Sequence, residues 1–201
     1  GEVVDGGAAP AGQVRYFEPF SASTNAAQEV KAMFGGALYI GQRDAWTADF
    51  IDGAYHLRND SAADAVKYFH LALPGQSLQE SQISVDVRVQ ADAAPAGAGL
   101  IWRFAAPDYY AFVLEDEQRF KCYRRDASGF GVLHVGHSAA IRPDAFNTLH
   151  LIQHAAQFDL YINGQLVASL REPQPLRGAE CGMIALGCGD FSFDNFTIYT
   201  E

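Results

Sequence analysis

The chain has 201 residues, 49% of them hydrophobic, and a formal net charge of −10. A chain of this length and composition can bury a substantial core, which argues against global disorder. Its acidic charge disfavours a nucleic-acid backbone or an anionic membrane as a partner, and the sequence holds no apolar run of about 18 residues that would insert into a bilayer.

Residues 1–13 are rich in Gly, Ala and Pro, a composition typical of a flexible tail or linker. We therefore expect a single domain over residues 14–201. Asn25, followed three residues later by Gln28, is typical of a helix cap, and Gly35-Gly36 would end the helix. The sequence thus predicts one short helix near the N-terminus.

The rest of the chain alternates apolar and polar residues with the period of β-strands. The clearest strand is residues 82–90, QISVDVRVQ, in which every second residue is Ile or Val. Residues 158–167, FDLYINGQLV, alternate on both sides of Asn163-Gly164. Because Asn-Gly readily supplies the two positive φ angles of a type I′ turn, this segment predicts a β-hairpin.

Similar runs, separated by short turns, predict about thirteen strands along the chain. Parallel strands would need helical crossovers between them, and the pattern contains none. The expected fold is therefore all-β: an antiparallel two-sheet jelly-roll sandwich with one short N-terminal helix.

The three cysteines are Cys122, Cys181 and Cys188. Cys181 and Cys188 flank a predicted strand, so their Cα atoms would lie roughly 23 Å apart, whereas a disulfide needs about 7 Å or less. We expect no bridge between them. Cys122 has the option of pairing with one of them, but free buried thiols are the favoured expectation.

The predicted hairpins over residues 99–125 offer a candidate ligand surface. If Tyr110 and its same-face neighbours enter the core, then Tyr109, Tyr123 and Arg125 face outward. Either Trp102 or Arg103 joins them, and periodicity does not choose between the two. Aromatic rings beside charged groups suit sugars, because rings stack on C–H groups while polar groups bind hydroxyls. The alternative is that these side chains only form cross-strand pairs.

Six short segments carry a family resemblance: residues 52–57 (DGAYHL), 98–103 (AGLIWR), 108–112 (DYYAF), 147–149 (NTL), 160–164 (LYING) and 193–196 (FDNF). In these segments and their order, the chain resembles the concanavalin A-like lectin/glucanase superfamily. Within it, the chain resembles the bacterial glycosyl-hydrolase-like, or 3-keto-disaccharide hydrolase-like, branch, and more loosely laminin-G domains. Phe146 stands where that branch usually has Trp. The resemblance spans about residues 49–200 and implies the sandwich fold, whereas activity does not follow from fold.

Family 16 glucanases of this superfamily place three acids at alternating positions of one strand. Here the acids of Glu115-Asp116-Glu117 are consecutive and fall at a predicted turn, which favours a solvated hairpin tip. The resemblance therefore implies a non-catalytic carbohydrate-recognition or surface-interaction module of a periplasmic or extracellular bacterial protein. Two alternatives remain: a glycoside hydrolase, for which Glu115 and Asp86 are the carboxylates to test, and a protein-interaction sandwich without a sugar ligand.

No metal or other cofactor is expected from the residues. His150 and His154 share a strand face but would lie roughly 13 Å apart, too far to hold one zinc ion. Superfamily lectins often bind calcium through Asp and Asn side chains on loops, and Asp190, Asp194 and Asn195 are the nearest match here. Asp194-Asn195 is better explained as a cap for backbone groups.

Overall fold

A computed structural model describes residues 12–20, 38–116 and 118–200. These residues form fifteen β-strands and one 3₁₀ turn, Leu78–Glu80. The strands are β1 (Gln13–Glu18), β2 (Gly41–Arg43), β3 (Trp46–Ile51), β4 (Ala54–Asn59), β5 (Val66–Leu71), β6 (Gln82–Ala91), β7 (Gly97–Ala105), β8 (Asp108–Leu114), β9 (Arg119–Asp126), β10 (Gly129–His137), β11 (Asn147–His154), β12 (Gln157–Ile162), β13 (Gln165–Arg171), β14 (Glu180–Leu186) and β15 (Gly189–Thr200).

The strands form two antiparallel sheets. One has nine strands in the order β13-β12-β11-β6-β15-β4-β3-β2, with β1 pairing to the C-terminal half of β15. The other has six strands in the order β10-β9-β8-β7-β14-β5. The prediction of an all-β, two-sheet jelly-roll sandwich is confirmed. Three parts of the prediction lie outside the described residues: the short helix, residues 1–11 of the tail, and Glu117. Within the described ranges, no helix is long and apolar enough to cross a membrane.

The local strand predictions agree with the structure. Asn163 and Gly164 have φ angles of 50° and 80° and join β12 to β13, as a type I′ hairpin requires. Ile83, Val85 and Val87 of β6 are fully buried on one face. Local alternation therefore predicted both the hairpin and the buried face of β6.

The main core lies between the two sheets. Every second residue of β8, namely Tyr110, Phe112 and Leu114, packs there against residues of the nine-stranded sheet. Each fully buried side chain of this size contributes roughly 1.5–3 kcal/mol. Cys122 and Cys181 belong to the same core, and the structure shows all three cysteines as free thiols.

Candidate ligand-binding site

The outer face of the six-stranded sheet is unusually apolar. The residues that alternate with the inner core form a second buried cluster on this face: Ile101, Phe104, Tyr109, Ala111, Val113, Tyr123 and Ile184. Exposed apolar side chains surround it: Val66, Tyr68, Phe130, Val132 and Val135. The outward face of a two-layer sandwich normally meets water and is polar. A large apolar patch is instead typical of a surface that contacts a ligand or partner.

Aromatic rings cross this face in a continuous band from β5 to β10. The centroid distances are 5.3 Å for Tyr68–Phe104, 6.1 Å for Phe104–Tyr109, 6.2 Å for Tyr109–Tyr123 and 5.7 Å for Tyr123–Phe130. These are favourable separations for aromatic pairs. Phe130 is 63% exposed, so its ring ends the band with a surface open to solvent.

Beside this band lies a cleft of ≈ 250 Å³. Val66 and Leu186, from β5 and β14, line one side of it. Tyr123, Phe130 and Val132, from β9 and β10, line the other. The cleft therefore extends across the sheet, and its two sides come from strands that are far apart in sequence.

Two glycines of β7 lie in close packing with their neighbours. Gly97 and Gly99 pair with Leu186 and Ile184 of β14. A Cβ atom at Gly99 would lie 2.9 Å from Leu149 Cδ1 and closer still to a carbonyl oxygen of β8. Close packing therefore requires glycine at position 99.

A charged group closes one end of the cleft. Glu115 follows β8, and its carboxylate lies 2.8 Å from both Arg119 Nε and Lys121 Nζ on β9. The predicted hairpin turn lies between β8 and β9 and Asp116 is exposed there, but the Glu115 side chain is only 8% exposed, so the expectation that it is solvated was wrong. Both cations are one strand away from it, and this pairing holds the carboxylate inside the cleft wall.

Tyr109, Tyr123 and Arg125 lie together on this face, as alternation predicted. Burial raises the pKa of both tyrosines, and their hydroxyl groups are hydrogen-bond partners. The Arg125 guanidinium lies 5.1 Å from the centre of the Phe130 ring. Both tyrosines are buried, so they pack beneath Phe130 and Arg125 and expose little surface of their own to a ligand.

Trp102 does not belong to this surface. It is fully buried between the sheets, where it stacks on Tyr110 at 5.4 Å and contacts Phe158 edge-on at 5.5 Å. The expectation that either Trp102 or Arg103 faces the ligand is wrong for both residues. A register shift between Trp102 and Ala105 breaks the alternation of β7, so counting by twos fails there.

Arg103 is buried and holds one end of the sandwich together. Its φ angle is +51°, in the left-handed region, which turns the side chain away from the outer face. The guanidinium donates to Gln153 Oε1 and to the carbonyl oxygens of Gln79, Ala155 and Leu176. Desolvation lowers the pKa of Arg103 while nearby Glu80 opposes that change. Its role in this structure is therefore to bind backbone carbonyls.

The two candidate catalytic carboxylates do not share a site. Asp86 lies on β6, on the outer face of the nine-stranded sheet, where it accepts hydrogen bonds from Thr148 Oγ1 at 2.5 Å and Asn195 Nδ2 at 2.8 Å. Glu115 lines the cleft of the opposite sheet. Because two sheet layers lie between them, they cannot form the pair about 5–5.5 Å apart that a retaining glycosidase uses.

The residues considered for calcium form other contacts. Asp190 pairs with Arg58 Nη1 at 2.6 Å and with His56 Nε2 at 2.8 Å. Asp194 Oδ1 accepts the backbone N–H of Asn195, as a cap does, and burial raises the Asp194 pKa. Among the residues that the structure describes, no group of three His, Cys, Asp or Glu side chains is arranged to hold a metal ion.

Sequence reasoning missed several residues of the cleft, mainly Val66, Phe130, Val132 and Leu186. Phe130 and Val132 are two residues apart in the strand of residues 129–137, and this spacing was the only sequence signal that they lie on the same face. No local signal showed that β5 and β14 approach β9 and β10, because this depends on the order of strands in the sheet.

Comparisons with solved structures place the chain in a known architecture. Carbohydrate-binding module CBM66 from Bacillus subtilis aligns with a TM-score of 0.60 and 15% identity, over 81% of this chain and 100% of the module. A Bacillus subtilis protein of unknown function with a galectin-like fold aligns with a TM-score of 0.65 and 13% identity, over 94% of this chain and 96% of that one.

An enzyme shares the same fold over part of its length. Xylan beta-1,4-xylosidase from Bacillus halodurans C-125 aligns with a TM-score of 0.64 and 13% identity, over 96% of this chain but only 40% of the enzyme. No family model matches the chain, and no curated relative was found. The structural similarities show the fold, a two-sheet β-sandwich like that of the carbohydrate-binding module and the galectin-like protein. They do not distinguish the glycosyl-hydrolase-like branch from other groups with this fold.

Proposed function

We propose that this protein is a carbohydrate-binding module and that it binds sugar on the outer face of the six-stranded sheet. The observation that carries the proposal is the cleft itself, which brings the open ring of Phe130 and the Glu115–Lys121 ion pair into one site. A sugar offers a C–H face to an aromatic ring and hydroxyls to a carboxylate and an ammonium group. The structural similarity to a carbohydrate-binding module supports it.

The charge distribution favours this face over its opposite. The outer face of the nine-stranded sheet carries networks of charged and polar side chains that satisfy one another, such as Arg58 with Asp92 and Asp190. Such a surface interacts well with water. The apolar face, by contrast, gains free energy when a ligand displaces water from it.

The first test is binding to a panel of oligosaccharides and polysaccharides, measured with calcium and again with chelator. Phe130→Ala should weaken binding roughly fivefold, as expected for the loss of about 1 kcal/mol of ring contact. Leu166→Ala is the matched control, because Leu166 is also an exposed apolar residue but lies on the other sheet, at 50% exposure against 63% for Phe130. Equal losses in both variants, or no binding to any glycan, would contradict the proposal.

The glycoside-hydrolase alternative is tested in the same experiment by chromatography of the products. The separation of Asp86 from Glu115 argues against a reaction that uses both carboxylates together. Turnover that disappears in Glu115→Gln and persists in Asp86→Asn would nevertheless assign hydrolysis to the cleft. A protein that self-associates over a large interface and binds no sugar would support the third hypothesis, an interaction sandwich.

The bacterial branch, the calcium dependence and the location belong to the proposal as well. Carbohydrate recognition by the glycosyl-hydrolase-like branch would suit a periplasmic or extracellular protein. Fractionation of the producing cells with an antibody against the chain tests the location. Equal binding with calcium and with chelator would establish a metal-independent site.

A further inference from the structure

Glu115 and Lys121 stand between two adjoining clefts. The first is the ≈ 250 Å³ cleft described above, and the second, of ≈ 200 Å³, lies on the other side of the ion pair. Pro95 also lines both. A ligand that occupies both clefts therefore contacts this pair.

The first cleft is lined mainly by apolar side chains. Its sides present Val66, Val113, Phe130, Val132 and Leu186, while its charged groups are the shared ion pair and the exposed Asp64. A sugar ring has hydroxyls around its whole edge, and hydroxyls that lose water without a new partner weaken binding. Apart from the Phe130 ring, on which the C–H face of a sugar stacks, the first cleft is therefore better matched to an apolar group than to the hydroxyls of a sugar.

The second cleft has the opposite character. Arg119 and Asp116 line it together with Glu115 and Lys121, so it offers both hydrogen-bond donors and acceptors. Hydroxyl groups need this mixture, because each both donates and accepts. The two clefts thus differ in chemistry over a short distance.

We propose, building on the carbohydrate-binding function, that the ligand is an amphipathic glycoside. Its sugar lies beside Glu115 and Lys121, with its C–H face towards Phe130 and its hydroxyls towards the second cleft, and an apolar aglycone occupies the rest of the first cleft. The first cleft is slightly smaller than the roughly 300–1,000 Å³ of most drug-sized sites. It therefore suits one ring or a short alkyl chain.

The test compares methyl, hexyl and phenyl glycosides of the same monosaccharides by isothermal titration. Each methylene that enters the first cleft should raise affinity roughly fourfold, so hexyl and phenyl glycosides should bind at least about tenfold more tightly than methyl glycosides. Val132→Glu places a charge in the first cleft and should bring this ratio close to one. Leu166→Glu is the control, since Leu166 is an exposed apolar residue on β13 of the other sheet and lines neither cleft.

Four results would contradict the amphipathic ligand or its placement. Equal affinity for methyl and hexyl glycosides overturns the amphipathic ligand and leaves the carbohydrate-binding function standing. Binding of hexanol or phenol as tight as that of the glycosides overturns it too, since the sugar would then contribute nothing. Loss of the ratio in Leu166→Glu as well as Val132→Glu overturns the assignment to the first cleft. Absence of binding to every methyl, hexyl and phenyl glycoside overturns the amphipathic ligand, whereas the oligosaccharide and polysaccharide panel decides the carbohydrate-binding function separately.

Discussion

Arg103 Nε lies 3.3 Å from Gln153 Oε1 in the buried end of the sandwich, and this contact links the two sheets. Gln153 also donates from Nε2 to the carbonyl oxygen of Leu78, which is part of the 3₁₀ turn. Arg103, the last residue of the AGLIWR segment, thus binds backbone carbonyl groups. Its position in an aromatic-rich hairpin did not indicate this role in the sequence.

Arg103→Ala should strongly destabilise the fold. The substitution leaves three backbone carbonyls and Gln153 without a buried donor, and hydrogen bonds to charged groups contribute about 1.5–3 kcal/mol each. We expect a loss of at least about 3 kcal/mol in the free energy of unfolding, measured in urea. Arg103→Lys should lose nearly as much free energy of unfolding as Arg103→Ala, because an ammonium group cannot reproduce the planar set of donors of a guanidinium.

Arg125→Ala is the control for this measurement, because Arg125 is only partly buried and its ring contact is with exposed Phe130. A loss below about 1 kcal/mol is expected there. An unchanged urea midpoint in Arg103→Ala would show that the buried hydrogen bonds do not stabilise the sandwich.

Two substitutions at Asn163 separate backbone conformation from side-chain bonding. Asn163 Oδ1 accepts the Thr148 N–H at 2.8 Å, and its Nδ2 donates to Ala140 O at 2.7 Å and Asn147 Oδ1 at 2.8 Å. Asn163→Gly removes these bonds but tolerates the φ of 50°. Asn163→Ala removes the bonds and adds strain, so it should be less stable than Asn163→Gly by about 1–2 kcal/mol.

Thermal or urea unfolding of the two variants checks the difference. Equal stability would mean that the turn relaxes to accept alanine. A Gly variant as stable as the original protein would mean that the three side-chain bonds add nothing to the fold.

The strands and hairpins could be predicted because their information is local. Alternation over nine residues identifies β6, and two residues identify the turn at Asn163. The cleft could not be predicted in this way, since its sides come from strands that meet only in the assembled sheet. Glu115 was misjudged for a related reason: its neighbours in sequence indicate a turn, while its burial comes from Arg119 and Lys121.

The predictions for Trp102 and Arg103 failed for a different physical reason. Trp102 faces the inner core whereas Phe104, two residues later, belongs to the outer cluster. The left-handed Arg103 between them supplies the extra residue that exchanges the faces. Nothing in the local composition marks a bulge of this kind when no glycine is present.

His150 should make stability depend on pH. Burial lowers its pKa from 6.5 to about 4, and Nε2 lies 3.1 Å from Gln82 Oε1. Between these two values the unfolded chain binds a proton that the folded protein excludes, so stability decreases as the pH falls from 6.5 towards 4. The expected loss from this residue is about 2 kcal/mol between pH 7 and pH 5.

His150→Gln isolates this contribution, since other acids titrate identically in both proteins. Urea unfolding of each protein at pH 7 and pH 5 gives two differences, and the original protein should lose about 2 kcal/mol more. Parallel losses in the two proteins would show that His150 is protonated in the folded state at pH 5.

The three thiols should differ sharply in reactivity. Cys122 and Cys181 are buried, and burial raises the pKa of both thiols, whereas Cys188 is partly exposed. Alkylation requires an accessible thiolate, so under native conditions Cys188 should react while the other two react at least ~100-fold more slowly. Mass spectrometry after iodoacetamide treatment, with and without urea, measures this, and Cys188→Ser should abolish the fast phase. Rapid native labelling of Cys122 or Cys181 would mean that the sandwich opens locally at β9 or β14, where those two residues lie.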